Sequence, residues 1–312
     1  MTARLIDGKE VARKVRGEWK ARADALRAQG IVPGLAVIMV GDNPASAVYV
    51  RNKVKASAEI GIHSLELRYA ADTAQELVLA KIDELNSDPR VHGILVQLPL
   101  PPQISVHAVL ERISPDKDVD GFNLYNVGGL VTGGMVFPPC TPYGVMCLLD
   151  YSGIQVAGQN VTVVGASNIV GKPMGLMFLQ REATVSICHV RTRDLAQFTI
   201  AADILVVAAG KPNLITAPMV RTGAVVIDVG INRLPGGQLV GDVDFEAVKE
   251  KASYITPVPG GVGPMTVTML LCNTIASAER FASRGQQPPG EAGGLSDPAG
   301  RNEASIAAVV PA

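Results

Sequence analysis

Residues 49–62, YVRNKVKASAEIGI, place three cations within five positions: Arg51, Lys53 and Lys55. On a helix turning about 100° per residue from Tyr49, Arg51 and Lys55 fall near roughly 200° and 240°. Asn52 and Glu59 share that arc, which is the arc of a solvated face. Lys53 falls near about 40°, one turn after Tyr49 and close to Val50, Ser57 and Ile60. A lysine on that side is buried, paired or catalytic. Burial lowers a lysine pKa and brings a neutral, proton-accepting amine within reach.

Other residues able to do chemistry sit where strands end. VQLPLP (96–101) closes an apolar strand with Gln97, an amide that costs free energy there unless hydrogen-bonded. PDKDVDG (115–121) holds Asp116, Asp118 and Asp120. The DxDxDG spacing with a distant Glu is not met, so a calcium loop is rejected and no metal site is expected. Asp116 and Asp118 fit a solvated loop. Asp120, directly before a glycine turn, is placed to accept hydrogen bonds from an amine-rich heterocycle.

VTVVGASNIVGKP leaves an apolar strand and enters a helix, with Gly165 for a tight turn and Gly171 for close helix–sheet approach. It is a partial dinucleotide fingerprint, since Ala166 or Ser167 stands where the middle glycine would be. The acidic ribose partner expected about 20 residues on is absent. HVRTRD stands there instead. Arg191 and Arg193 are either surface charge or partners for a 2′-phosphate, and Lys172 is a further candidate. That favours NADP over NAD. PVPGGVGPMT (257–266) is a loop shaped by its prolines and glycines.

These residues need a scaffold, and the hydropathy pattern supplies one. Apolar strands at 34–42, 63–70 and 91–100 alternate with helices at 45–60, 73–87 and 103–113, which implies a parallel sheet covered on both faces. A Gly/Pro/Asp-rich connection, 114–142, contains the expected domain boundary. The alternation then resumes through QNVTVVGAS, VGKPMGLMFLQRE, TVSICHV, DILVVAAG, AVVIDVGI and SYITPV. Residues 266–283 form a last amphipathic helix. The Gly/Pro/Ser/Ala-rich tail, 284–312, is expected to be disordered.

The chain has 312 residues, 47% hydrophobic and 18% charged, with net charge −1. Near-neutral charge argues against nucleic-acid binding. No apolar run approaches spanning length, and the N-terminus lacks a signal-peptide core. The four cysteines are scattered and fit a reduced, cytoplasmic protein. The four histidines are dispersed too, without a ligand pattern.

YVRNK, VQLPLP, DKDVDG, GASNIVGKP and TPVPGGVGPMT occur in that order. Across residues 3–283 the chain resembles the bifunctional methylenetetrahydrofolate dehydrogenase/methenyltetrahydrofolate cyclohydrolase family. The resemblance implies two α/β domains with a cleft between them. One is a folate-binding catalytic domain, 1–121 with the helix 266–283; the other is a Rossmann-like NADP-binding domain, 122–265. It implies oxidation of 5,10-methylenetetrahydrofolate with NADP, then hydrolysis to 10-formyltetrahydrofolate, by a homodimer. It matches Lys53 to the catalytic lysine and Tyr49 to the residue stacking on folate. Gln97 matches the glutamine and Asp120 the pterin-binding aspartate. Pro259, Gly260 and Gly261 fall on the substrate side, and Gly165, Ala166, Ser167 and Ile231 on the nicotinamide side. Ala166 and Val190 replace the usual 2′-phosphate contacts, so Arg191, Arg193 or Lys172 must substitute. An NADP-dependent dehydrogenase of the shikimate or amino-acid type would not be expected to carry both VQLPLP and PGGVGPMT, and intact Tyr49, Lys53, Gln97 and Asp120 argue against a non-catalytic nucleotide-binding module.

Overall fold

The computed structural model describes residues 2–285. Contacts divide the described chain into two units: Lys14–Cys140 with residues from Val267 on, and residues up to Arg13 with Thr141–Thr266.

The first unit is built on a three-stranded parallel sheet in the spatial order His63–Tyr69, Gly34–Val40, Gly93–Val96. The central strand GLAVIMV is buried at every position, as a continuous apolar run requires when helices cover both faces. Ala36, Ile38, Val78, Ile82, Ile94 and Val109 form the core between the sheet and the helices Gln75–Ser87 and Val106–Arg112. The strand expected at 91–100 is only Gly93–Val96. It stops at Gln97, just before the prolines of LPLPP, which have no amide to donate to a ladder.

The second unit holds a six-stranded sheet in the order Arg4–Leu5, Tyr254–Ile255, Val225–Asp228, Ile204–Val207, Asn160–Val164, Thr184–Cys188. Every pairing in it is parallel. The strand after Asn160–Val164 lies on one side of it and the next two lie on the other. The order therefore reverses at Asn160–Val164, and α/β proteins place ligands beyond the carboxyl end of a strand at such a switch point. Leu205, Val207, Ile215, Val226, Val243 and Ile255 lie in its core.

Three features differ from expectation. The division falls at 140/141 rather than 121/122, and the first thirteen residues join the second unit because Arg4–Leu5 pairs with Tyr254–Ile255. The connection 114–142 is not all loop: it contains the helix Leu124–Thr132, capped by the Asn123 carboxamide on the Tyr125 amide. The last helix begins at Val262, four residues early, with Pro264 in its first turn, where no amide is needed. The expected tail, 284–312, lies outside the described residues except for 284 and 285, which end that helix.

Candidate active site

The helix Pro44–Glu59 separates its three cations as the periodicity predicts. Arg51 and Lys55 are exposed, whereas Lys53 is only 8% exposed and keeps company with buried Val50, Ser57 and Ile60. Lys53 Nζ donates to Gln97 Oε1 at 3.0 Å. Gln97 Nε2 donates to the Leu98 carbonyl at 2.8 Å, which turns the amide oxygen towards the lysine. The Gln97 amide is anchored to the Ile38 carbonyl of the central strand. Burial pushes the Lys53 pKa down, and the nearby Asp120 and Cys140 only partly oppose this. Tyr49, one turn earlier, is 38% exposed, with its hydroxyl pKa raised by burial. Its ring is thus available on the same helix as Lys53.

Asp120 faces this pair from the loop after the Val106–Arg112 helix. Burial raises its carboxyl pKa, opposed by Lys53 and by a hydrogen bond with Cys140. The Cys140 thiol is itself pushed well above the usual thiol range by burial and by Asp120. It donates to the Val119 carbonyl at 3.2 Å and so stays a neutral, structural thiol. Asn273 of the last helix donates to the same Val119 carbonyl at 2.9 Å.

Asp118 corrects the expectation of a solvated loop. It is 1% exposed and accepts from the Asn123 amide at 2.7 Å, the Gly121 amide at 3.2 Å and Asn126 Nδ2 at 2.8 Å. It organises the turn that presents Asp120. The Ile94 amide donates to the Lys117 carbonyl at 2.8 Å, so the strand that leads into Gln97 also pins the loop that carries Asp120. Asp116, by contrast, lies at the surface and pairs with Arg284 at 2.6 Å. Sequence reasoning missed Asp118, Cys140 and Asn273 as supports. Only Asp118 had a signal, because Asp followed three residues later by Gly is a type I turn signature. Its carbonyl accepts the Gly121 amide at 3.1 Å.

In the second unit, the turn after Asn160–Val164 is closely packed. Gly165 has φ +123, and a Cβ there would lie 2.1 Å from the Ala208 carbonyl oxygen. A Cβ on Gly171 would lie 1.9 Å from the Gly165 oxygen. Both glycines are therefore demanded by close backbone approach. Ser167 Oγ accepts from the Val170 amide at 3.1 Å, which ties the turn ahead of the helix Gly171–Gln180 and leaves its hydroxyl proton to donate. Lys172 Nζ donates to Asn168 Oδ1 at 2.7 Å. Val190 is 96% exposed, and Arg191 lies beside it in a loop fixed by the His189 amide donating to Thr192 Oγ1 at 2.9 Å. The Gly165 amide donates to the Cys188 carbonyl at 2.9 Å, so this loop begins beside the turn. Ile231 is exposed in the loop after the strand Val225–Asp228, and the cis Val258–Pro259 bond leads into Gly260 and Gly261. Among the described residues, no group of three or more His, Cys, Asp or Glu side chains could hold a metal, and no helix is long and apolar enough to cross a membrane.

Residues 6–120 match the tetrahydrofolate dehydrogenase/cyclohydrolase catalytic domain, and residues 139–282 match the NAD(P)-binding domain of the same family. The chain belongs to the tetrahydrofolate dehydrogenase/cyclohydrolase family. It is 61% identical to the bifunctional protein FolD of Nitrosospira multiformis, over 91% of this chain and 99% of that protein. A solved FolD methylenetetrahydrofolate dehydrogenase/cyclohydrolase from Campylobacter jejuni superposes with a TM-score of 0.87 at 53% identity, covering 88% of this chain and 98% of that one. The Trypanosoma brucei enzyme, solved with NADP cofactor and inhibitor, gives a TM-score of 0.87 at 40% identity over 90% and 99%. Tyr49, Lys53, Gln97 and Asp120 lie in the matched catalytic domain of the family. Gly165, Ser167, Arg191 and Ile231 lie in its NAD(P)-binding domain.

Proposed function

We propose that Lys53 is the proton-accepting group of a bifunctional enzyme that oxidises 5,10-methylenetetrahydrofolate with NADP and hydrolyses the 5,10-methenyl product to 10-formyltetrahydrofolate. The observation that carries this is the hydrogen bond from buried Lys53 to Gln97 beside Asp120, with the lysine pKa depressed by burial.

Bound NADP supplies the hydride acceptor. The residues of the second unit fit a dinucleotide: a glycine turn at a strand switch point, a helix N-terminus without a side-chain cap directly after it, and cationic Arg191 in the loop that begins beside the turn. Lys172, Ala166, Ser167 and Ile231 complete that face in this reading. On the folate side, Tyr49 offers its ring to the pterin. Asp120 accepts paired hydrogen bonds from the pterin amines.

Oxidation leaves a delocalised cation on the substrate, which a charged ammonium would oppose. A neutral Lys53 avoids that repulsion. It donates one N–H to Gln97 Oε1, so its lone pair remains to take a proton from water. The water oxygen bonds to the methenyl carbon as Lys53 takes its proton. The bond from that carbon to N5 then breaks as the remaining hydroxyl proton of the added water passes to N5, the carbon–oxygen double bond forms, the formyl group stays on N10, and Lys53 gives the first proton to solvent.

The test replaces Lys53 by Met and assays the two steps separately. Loss of cyclohydrolase with retained hydride transfer is expected. Unchanged hydrolysis would sink the assignment.

The same reading has the chain act as a cytoplasmic homodimer. Thr184–Cys188 is an edge strand of the six-stranded sheet, with Ile187 and Val190 exposed beside it, which supports pairing with a second copy. Sedimentation of the purified chain checks it, and a monomer at micromolar concentration would exclude it.

A further inference from the structure

Two buried aspartates in the second unit have no part in the chemistry above. Asp228 ends its strand and is 3% exposed, and Asp242 is 0% exposed. Asp242 Oδ2 accepts from the Ala209 and Gly210 amides at 2.7 and 2.8 Å. Asp242 Oδ1 accepts from Asn232 Nδ2 at 2.8 Å. Asp228 Oδ1 accepts from the Gly230 amide at 2.9 Å and the Asp242 amide at 3.0 Å, and Asp228 Oδ2 from the Val243 amide at 2.9 Å.

Space around the pair is tight. A Cβ on Gly230 would lie 2.2 Å from the Asp242 carboxyl carbon, and one on Gly241 would lie 1.9 Å from Asp228 Oδ2. Nothing longer than glycine fits at either position, so the carboxylates have one seat each.

The loops they hold matter for where they end. Residues 208–210 follow the strand Ile204–Val207, and residues 229–232 follow Val225–Asp228. Both leave carboxyl ends of parallel strands, on the same side of the sheet as Gly165. The first of them touches that turn directly: the Ala208 amide donates to Val164 at 2.7 Å, and the Ala208 oxygen is what bars a side chain at Gly165. One hydrogen-bonded path thus runs from the glycine turn through Ala208–Gly210 and Asp242 to Asn232, next to Ile231.

We infer that Asp242, held by Asp228, is a positioning residue that sets the Ala208–Gly210 and Gly230–Asn232 loops against the Gly165 turn for the dinucleotide. The role rests on the reading of this unit as the dinucleotide site. Asp242 touches neither the reacting carbon nor the folate. It acts through backbone amides, and a neutral carboxamide that faces Ala209 and Gly210 with its oxygen turns its NH2 on the Asn232 NH2, so Asn232 must turn its own amide over and give up the Val240 carbonyl at 3.5 Å.

That conflict gives the test. In Asp242→Asn, the KM for NADP in the dehydrogenase assay should rise about tenfold. Cyclohydrolase kcat/KM, measured on methenyltetrahydrofolate without dinucleotide, should stay within about twofold of wild type. Adding Asn232→Asp restores the pattern, because the new carboxylate accepts from the NH2 at 242 while the oxygen there keeps the two amides. The double variant should recover most of the lost affinity. Asn232→Ala cuts only one arm on a half-buried residue and should raise the same KM less. It reads the proposal even where Asp242→Asn does not fold. An unchanged KM for NADP in Asn232→Ala and in any folded Asp242→Asn overturns the inference, as does an equal fall of both activities. If the wild-type chain shows no dinucleotide-dependent turnover, the reading of the unit fails instead, and this inference with it.

Discussion

Lys53 Nζ meets Gln97 Oε1 at 3.0 Å while the other end of that amide is committed to Leu98. The pairing links a helix to a strand end and fixes which atom the lysine faces. Because Gln97 is neutral, it holds the lysine without adding charge that would keep it protonated. Hydrolysis should therefore rise with pH as Lys53 loses its proton, and level off below 10.5, the ordinary lysine value from which burial lowers it. Gln97→Glu puts a carboxylate at that contact and favours the ammonium. Cyclohydrolase at pH 7 should fall at least about tenfold and recover as pH is raised. A profile that keeps its wild-type midpoint in Gln97→Glu would refute the base role.

Asp118 supports the same site from below. Asp118→Ala strips acceptors from the Asn123 and Gly121 amides and from Asn126, all of which are covered. Leaving buried donors unpaired costs about 1–3 kcal/mol each, so a loss of about 3 kcal/mol in urea unfolding is expected. The turn that carries Asp120 loosens with it, so the KM for folate should rise more than the KM for NADP. A stability within about 0.5 kcal/mol of wild type would show the network to be dispensable.

Gly165→Ala tests the nucleotide turn. Its Cβ would lie 2.1 Å from a backbone oxygen at φ +123, so the turn must move. Dehydrogenase activity should collapse through NADP binding. Hydrolysis, carried by residues of the other unit, should remain. Retained NADP affinity, measured by quenching of intrinsic fluorescence or by calorimetry, would contradict the assignment.

How far these relationships can be read from the sequence differs by residue. Lys53 was legible because a helix has a fixed angular period, and its neighbours at 50, 57 and 60 are small or apolar. The parallel strands were legible because burial on both faces leaves near-continuous apolar runs. Asp118 was legible only as the start of a turn, through Gly121 three residues on, because only folding decides which of three alternating carboxylates meets buried amides. Arg4–Leu5 was not, because a two-residue strand has no period, and its partner lies about 250 residues away. The helix Leu124–Thr132 was hidden by its two internal glycines, which weaken helical propensity although the Asn123 cap is in place. Cys140 joined Asp120 only through tertiary packing.

Asp228 makes a prediction about stability and pH. Burial, reinforced by the neighbouring Asp242, pushes its pKa up to about 7 against the pull of three backbone amides. An unfolded aspartate titrates near about 3.9. Between those values the folded chain keeps a proton that the unfolded chain has lost. Asp228 therefore lowers stability progressively as pH climbs from about 4 to about 7, and its effect is constant above that. Asn at this position does not titrate. From pH 5.5 to pH 8 the Asp228→Asn variant should gain on wild type by about 2 kcal/mol, or about 5 °C in Tm, whatever constant offset its amide introduces. Thermal melts of both proteins across that range measure the gap. A gap that stays constant would mean that Asp228 is ionised throughout, with its three amide donors outweighing burial.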